Sequence, residues 1–238
     1  MNTCRISVCM ATYNGLPYLE AQLCSILEQL GAGDEVVIVD DGSKDGSREY
    51  LKAHGDSRLR VLFHEKNTGP VGAFEDALRA AKGEYLFLSD QDDIWPADKV
   101  AKYMEIFALR PEIEILCSKV RLIDEAGNLL DEVNAENERP FRTGLIANLI
   151  HNCYQGSTMA MRAHVLHKIL PFPRGGERCQ LLHDLWIGLR AAQCGYGVMR
   201  IEEPLLLYRR HGNNVSGRLP LLRQIEKRVR VLAALLRR

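Results

Sequence analysis

The chain has 238 residues, 46% hydrophobic and 26% charged, enough to bury a sizeable core as one large domain or two joined halves. Its formal net charge is zero, but residues 218–238 hold seven Lys/Arg and one Glu, a net of +6 that leaves −6 on the rest. An acidic body with no recognised binding module argues against nucleic acid as a partner, and no apolar run nears the ~20 residues of a membrane span.

Residues 6–11 are an apolar run ending in Thr12-Tyr13-Asn14-Gly15 and predict a strand. Pro17 stands where a helix would start, and Leu19, Leu23, Ile26, Leu27 and Leu30 recur at helical spacing before Gly31. Residues 36–39 are β-branched throughout, the pattern of a strand buried on both faces, and run into Asp40-Asp41-Gly42-Ser43. A short polar helix is expected over 47–54, a strand over 59–63, a turn at Asn67-Thr68-Gly69-Pro70 and a small-residue helix over 71–81, ended by Gly83. The fourth strand, 85–88, runs into Ser89-Asp90-Gln91-Asp92-Asp93. The second half is less regular. It predicts a helix over 97–109, a strand over 113–120, a turn over 125–128 and a mobile polar loop over 131–139. Then come a helix over 145–150, a strand over 157–161, a helix over 182–192 and a last strand over 205–208.

Strands alternating with helices imply an α/β fold with a mostly parallel sheet, whose ligands bind beyond the carboxyl ends of the strands. Three strand ends carry polar residues suited to a nucleotide and a metal: Thr12 and Asn14, Asp40 and Asp41, Asp90 and Asp92. Seven scattered cysteines without a Cys-x-x-Cys pair fit a reduced cytosolic protein better than a disulfide framework or a zinc site. The first residues have neither a basic nor a long apolar region, so no signal peptide is expected.

The acid cluster carries the strongest chemistry. A hard cation such as Mg²⁺ or Mn²⁺ wants oxygen ligands, and one or two carboxylates suffice when a diphosphate supplies the rest. Asp92 and Asp93 could equally cap the helix after Pro96. Asp184 likewise precedes an apolar helical run, where an aspartate is a preferred cap. His164 and His167 read as surface residues, and His54, His64 and His151 as structural.

In order and spacing, Ile6-Ser7-Val8 through Asn14, Val39-Asp40-Asp41-Gly42-Ser43, Asn67-Thr68-Gly69 and Gly83-Glu84-Tyr85 through Asp93 resemble the family 2 glycosyltransferases of GT-A fold. His183-Asp184-Leu185-Trp186 and Tyr208-Arg209-Arg210-His211-Gly212-Asn213-Asn214-Val215-Ser216-Gly217 resemble the bacterial rhamnosyltransferase-type branch. The resemblance, which spans roughly residues 5–217, implies a nucleotide-binding half (1–93) and an acceptor-binding half (94–217); residues 218–238 read by their own pattern as a basic amphipathic C-terminal helix. It implies a nucleotide site at Ala11, Thr12, Tyr13, Asn14, Asp41, Asn67, Gly69, Asp90 and Arg209. In this scheme Asp41 accepts the pyrimidine N3–H and Arg209 pairs with the diphosphate. It implies metal ligands at Asp90, Asp92 and His211, and a catalytic base at Asp184. Arg210 stands where relatives often have an uncharged residue.

The expected activity is inverting, Mg²⁺- or Mn²⁺-dependent transfer of a sugar from a deoxythymidine or uridine diphosphate donor to a glycan or lipid-linked acceptor. L-rhamnose is the sugar the branch implies. The chain is expected in the cytoplasm, peripheral on the inner face of the cytoplasmic membrane. A non-catalytic sugar-nucleotide-binding or scaffold protein on the same fold is the alternative. A nicotinamide-dependent oxidoreductase would need Gly-x-Gly-x-x-Gly after the first strand, and Thr12-Tyr13-Asn14-Gly15-Leu16-Pro17 lacks it. In the tail, Leu222, Ile225, Val229, Leu232 and Leu236 share one helical face opposite Arg223, Lys227, Arg230 and Arg237. That pattern suits an anionic membrane surface or packing on protein.

Overall fold

The computed structural model describes residues 5–132, 134–135, 137–173, 183–212 and 221–236, with 221–227 described as backbone only. The first half alternates as its sequence predicts: β1 (Ile6–Thr12), α1 (Leu16–Leu27), β2 (Glu35–Asp40), α2 (Ser47–Ala53), β3 (Leu59–Phe63), α3 (Gly69–Ala80) and β4 (Tyr85–Ser89). The second half adds α4 (Lys99–Leu109), β5 (Ile113–Ile123), α5 (Leu145–Ile150), β6 (Ala160–Arg162), α6 (Leu166–Ile169), α7 (His183–Cys194), β7 (Gly197–Arg209) and α8 (Leu221–Leu236). All seven strands join one sheet in the order β3-β2-β1-β4-β6-β5-β7, in which β6 alone runs against its neighbours. The carboxyl ends of β1, β2, β4 and β7 therefore open on the same edge.

The sheet is covered on both faces. Along β1, Val8 and Met10 face one core layer with α1 and α4, while Cys9 faces the other with α3 and α7. This is why 6–12 and 35–40 read as unbroken apolar runs. Gly83 lets the chain enter β4 close to β1, since a Cβ there would lie 2.5 Å from the Ser7 amide nitrogen.

Two elements differ from expectation. Residues 156–158 form a 3₁₀ turn and the strand starts only at Ala160. The expected strand at 157 fails because α4 claims the carbonyls: Lys99 Nζ donates to Ser157 O at 3.1 Å, and Tyr103 donates to Thr158 O at 2.6 Å. The last strand begins at Gly197 rather than 205. As an edge strand it accommodates Glu202, Glu203 and Pro204, and its pairing with β5 shifts register at Lys119. In α8 the side chains of the anticipated face are described from Val229 onward. Val231 and Leu235 enter the core, whereas Val229, Leu232 and Leu236 are exposed. Among the described residues no helix is long and apolar enough to cross a membrane. His164 and His167 lie on the surface, as expected.

Candidate active site

The loops at the carboxyl edge are tied to one another by side chains. Thr12 Oγ1 and the Tyr13 amide both donate to Gln91 Oε1, at 2.6 and 2.7 Å, so the acid loop after β4 holds the loop after β1. Asn14 adopts a left-handed backbone (φ 51°), which Asn tolerates better than most residues. Its amide donates to Ser43 Oγ, and its side-chain oxygen accepts the Lys44 amide, both at 2.9 Å. From α1, buried Gln22 donates to Ser89 Oγ and Asp90 O, and Ser25 Oγ accepts the Trp95 amide.

Asp41 is buried at the N-terminus of α3. Its carboxylate accepts the Thr68 and Gly69 amides, at 2.9 and 2.8 Å, and the Thr68 hydroxyl. His64 Nδ1 stands 2.7 Å from Asp41 Oδ1, and its Nε2 reaches Asp76. Asn67 Oδ1 accepts the Gly69 amide, and Gly69 holds a positive φ of 80°. The structure thus gathers Asp41, Asn67 and Gly69 at one helix start, with His64 at the pocket rather than apart from it. A pyrimidine N3–H approaching Asp41 would compete there with donors already in place.

The acid loop is equally constrained. Asp92 Oδ2 meets His211 Nε2 at 2.7 Å. The Tyr18 ring packs against both His211, stacked at 5.0 Å, and the Arg209 guanidinium, also at 5.0 Å. Arg209 is buried and directs its donors to backbone: Nε to Asp92 O, and Nη1 to Asp124 O and Glu125 O. Its own amide donates to Asp93 Oδ1. The described geometry makes Arg209 a brace for the acid loop. Ile94 bridges to Leu207 and fixes the same loop against β7. Arg210 is exposed and pairs with Glu132.

Burial and the neighbouring carboxylates of Asp92 and Asp184 push Asp90 up to about 7. Burial, then Asp92 and Asp90, raise Asp93 well above the usual carboxylate range, and its buried Oδ2 has no hydrogen-bond partner among the described residues. The fully buried Lys99 lies 4.1 Å from the Trp95 ring centre, and burial lowers it to about 7. Carboxylates crowded this closely fit a cation. Among the described residues, however, no three His, Cys, Asp or Glu side chains form a ready-made metal cage. Asp92 and His211 come together, Asp90 stands beside them, and remaining positions would fall to phosphate oxygens and water.

Asp184 lies in the first turn of α7, with Oδ1 accepting the Leu185 amide at 2.6 Å and Oδ2 accepting Asn152 Nδ2 at 3.3 Å. Its carboxylate is one of the charges that raise Asp90. Behind it, Trp186 is buried and donates to Ile169 O, which anchors the helix. His183 is buried against Phe74, and burial lowers its pKa.

Tyr18, Gln22, Gln91, Asn152 and Lys99 were given no role by the sequence. For Gln22 a signal existed: a polar side chain on the apolar face of α1. Residues Asn213 to Gly217 of the second motif, and Leu182 ahead of α7, lie outside the described residues.

Residues 7–170 match the family described as glycosyl transferase family 2. The chain belongs to that family. It is 29% identical over 214 residues to the putative teichuronic acid biosynthesis glycosyltransferase TuaG of Bacillus subtilis, a match covering 89% of this chain and 81% of that protein. It is 31% identical over 119 residues to the Escherichia coli UDP-Glc:alpha-D-GlcNAc-diphosphoundecaprenol beta-1,3-glucosyltransferase WfgD, covering 50% of this chain but 47% of that protein. Among solved structures, S. aureus TarS 1-349 in complex with UDP-GlcNAc superposes with a TM-score of 0.75 at 19% identity, over 98% of this chain and 66% of that one. That likeness shows the GT-A fold expected for family 2: a mostly parallel seven-stranded sheet flanked by helices, with a C-terminal helix in place.

Proposed function

We propose that this chain is an inverting glycosyltransferase acting in bacterial surface polysaccharide synthesis, with a pyrimidine nucleoside diphosphate sugar as donor and a lipid-linked glycan as acceptor. The observation that supports the reading is the meeting of Asp92 Oδ2 and His211 Nε2, 2.7 Å apart, in the loop that follows β4. Thr12, Asn14 and Asp41, with Ala11, Tyr13, Asn67 and Gly69, line the base and ribose pocket. Asp41 takes the N3–H in exchange for the Thr68 hydroxyl or the His64 ring. Asp92 and His211, with Asp90, hold Mg²⁺ or Mn²⁺. Bound there, the cation supplies Lewis-acid neutralisation of the leaving diphosphate. Arg209 keeps the acid loop in register. Asp184 accepts the proton of the acceptor hydroxyl as that oxygen attacks the anomeric carbon. WfgD is named for a UDP-Glc donor and a diphosphoundecaprenol acceptor, which supports a uridine donor and a lipid carrier here. A deoxythymidine diphosphate rhamnose donor is the finer reading of the His183-Asp184 and Arg209-to-His211 motifs. The deciding experiment measures donor hydrolysis and melting temperature across uridine, deoxythymidine and guanosine diphosphate sugars, with and without Mn²⁺. Metal-dependent stabilisation by a pyrimidine donor is expected. Equal response to all three nucleotides, or none with metal, would overturn the assignment.

A further inference from the structure

Nine large hydrophobic side chains are exposed among the described residues, and five of them lie on two helices: Ile146 and Ile150 on α5, and Val229, Leu232 and Leu236 on α8. Ile146 is 74%, Ile150 65% and Leu236 87% exposed. The helices are neighbours, since Arg228 of α8 donates to Ile150 O. Packing does not need these side chains, because α8 is already seated through Val231 and Leu235. The segment that carries three of them holds a net charge of +6, and Arg230, beside Val229, is exposed.

We propose that the exposed faces of α5 and α8 form one docking surface for an anionic lipid bilayer. The apolar side chains enter the headgroup layer, and Arg230 of α8 meets lipid phosphates. Charge decides the occupant. A second copy pairing through the same face would bring two +6 segments together, whereas an anionic bilayer complements them. The place of the surface also fits. Two residues beyond α5, Asn152 donates to Asp184, which ties the end of this surface to the candidate base. This purpose rests on the transferase reading, but the surface itself does not.

The test is co-sedimentation of the full chain with phosphatidylcholine vesicles, with and without phosphatidylglycerol, at low and high salt. The wild type binds the anionic vesicles and releases in salt. Ile146→Asp/Ile150→Asp, which leaves the basic segment intact, lowers that partitioning about ten-fold or more, as does Val229→Glu/Leu232→Glu. Both leave melting temperature and uridine diphosphate binding unchanged. Unaltered vesicle binding by the α5 variant overturns the proposal. So does a wild-type dimer that the variant converts to monomer, since the face is then a protein interface. If the wild type binds vesicles but hydrolyses no sugar nucleotide, the transferase reading fails while the surface stands.

Discussion

Asp184→Asn separates a catalytic base from a helix-stabilising acid. Asparagine retains one acceptor oxygen, which keeps the 2.6 Å contact with the Leu185 amide. Its new amide then faces the Asn152 amide, donor to donor, and that 3.3 Å contact is lost. The lost contact costs about 1 kcal/mol, and the lost charge in the first turn of α7 about 0.3–1 kcal/mol. Relief of repulsion on Asp90 opposes both. Destabilisation therefore stays below about 2 kcal/mol, a fall in Tm of at most about 8 °C for a chain of this size. Loss of a general base is larger, ~10²–10⁴-fold in turnover, or about 2.7–5.5 kcal/mol of barrier. Asp90 supplies an internal check. Burial and two carboxylates push it to about 7, and removing one of those carboxylates lowers it. More Asp90 is then ionised at neutral pH, so affinity for uridine diphosphate with Mn²⁺ holds or tightens. Turnover at saturating donor and acceptor, calorimetric donor binding and Tm are measured together. Near-normal turnover would make Asp184 a structural acid, and a parallel loss of donor binding would refute its separation from the metal loop.

Asp92→Ala removes the partner of His211 and is expected to abolish Mn²⁺-dependent nucleotide binding with Tm nearly unchanged; calorimetry that finds wild-type affinity contradicts the metal assignment. Tyr18→Ala should weaken Mn²⁺ binding by freeing the His211 ring, while Tyr18→Phe, which keeps the stack, preserves it; equal behaviour of the two variants refutes a positioning role. Asp41→Ala leaves the Thr68 amide without its acceptor and takes one of two from the Gly69 amide, and should cost about 1–3 kcal/mol in denaturant unfolding, a loss absent if water replaces the carboxylate. Burial raises both the Cys9 and Cys117 thiols, Cys117 to about 12, so at pH 8 neither should react with a thiol reagent in the native state, while exposed Cys24 does; peptide mapping after labelling decides.

The first half was legible because its signals are local. Strands buried on both faces must be apolar from end to end, and Pro17 and Gly83 punctuate the chain where the structure turns. The place of the acid loop was legible too, because it follows directly on the apolar run of β4; polarity alone did not mark it, since capping offered the same acids a structural reason to be there. Several things depended on the assembled sheet. The edge strand β7 hid behind Glu202, Glu203 and Pro204, because one side of an edge need not be apolar. The expected strand at 157 became a 3₁₀ turn because Lys99 and Tyr103, over fifty residues away, took its carbonyls. The face of α8 that packs was set by where the core offered room for Val231 and Leu235, which periodicity cannot see. Tyr18 against His211 and Arg209, and Asn152 against Asp184, join residues distant in sequence. Local pattern fixes which segments become strands and helices, since that depends on near neighbours and burial period. Which side chains meet across the site depends on the packing of the finished sheet, where hydrogen bonds and stacking reward only proximity in space.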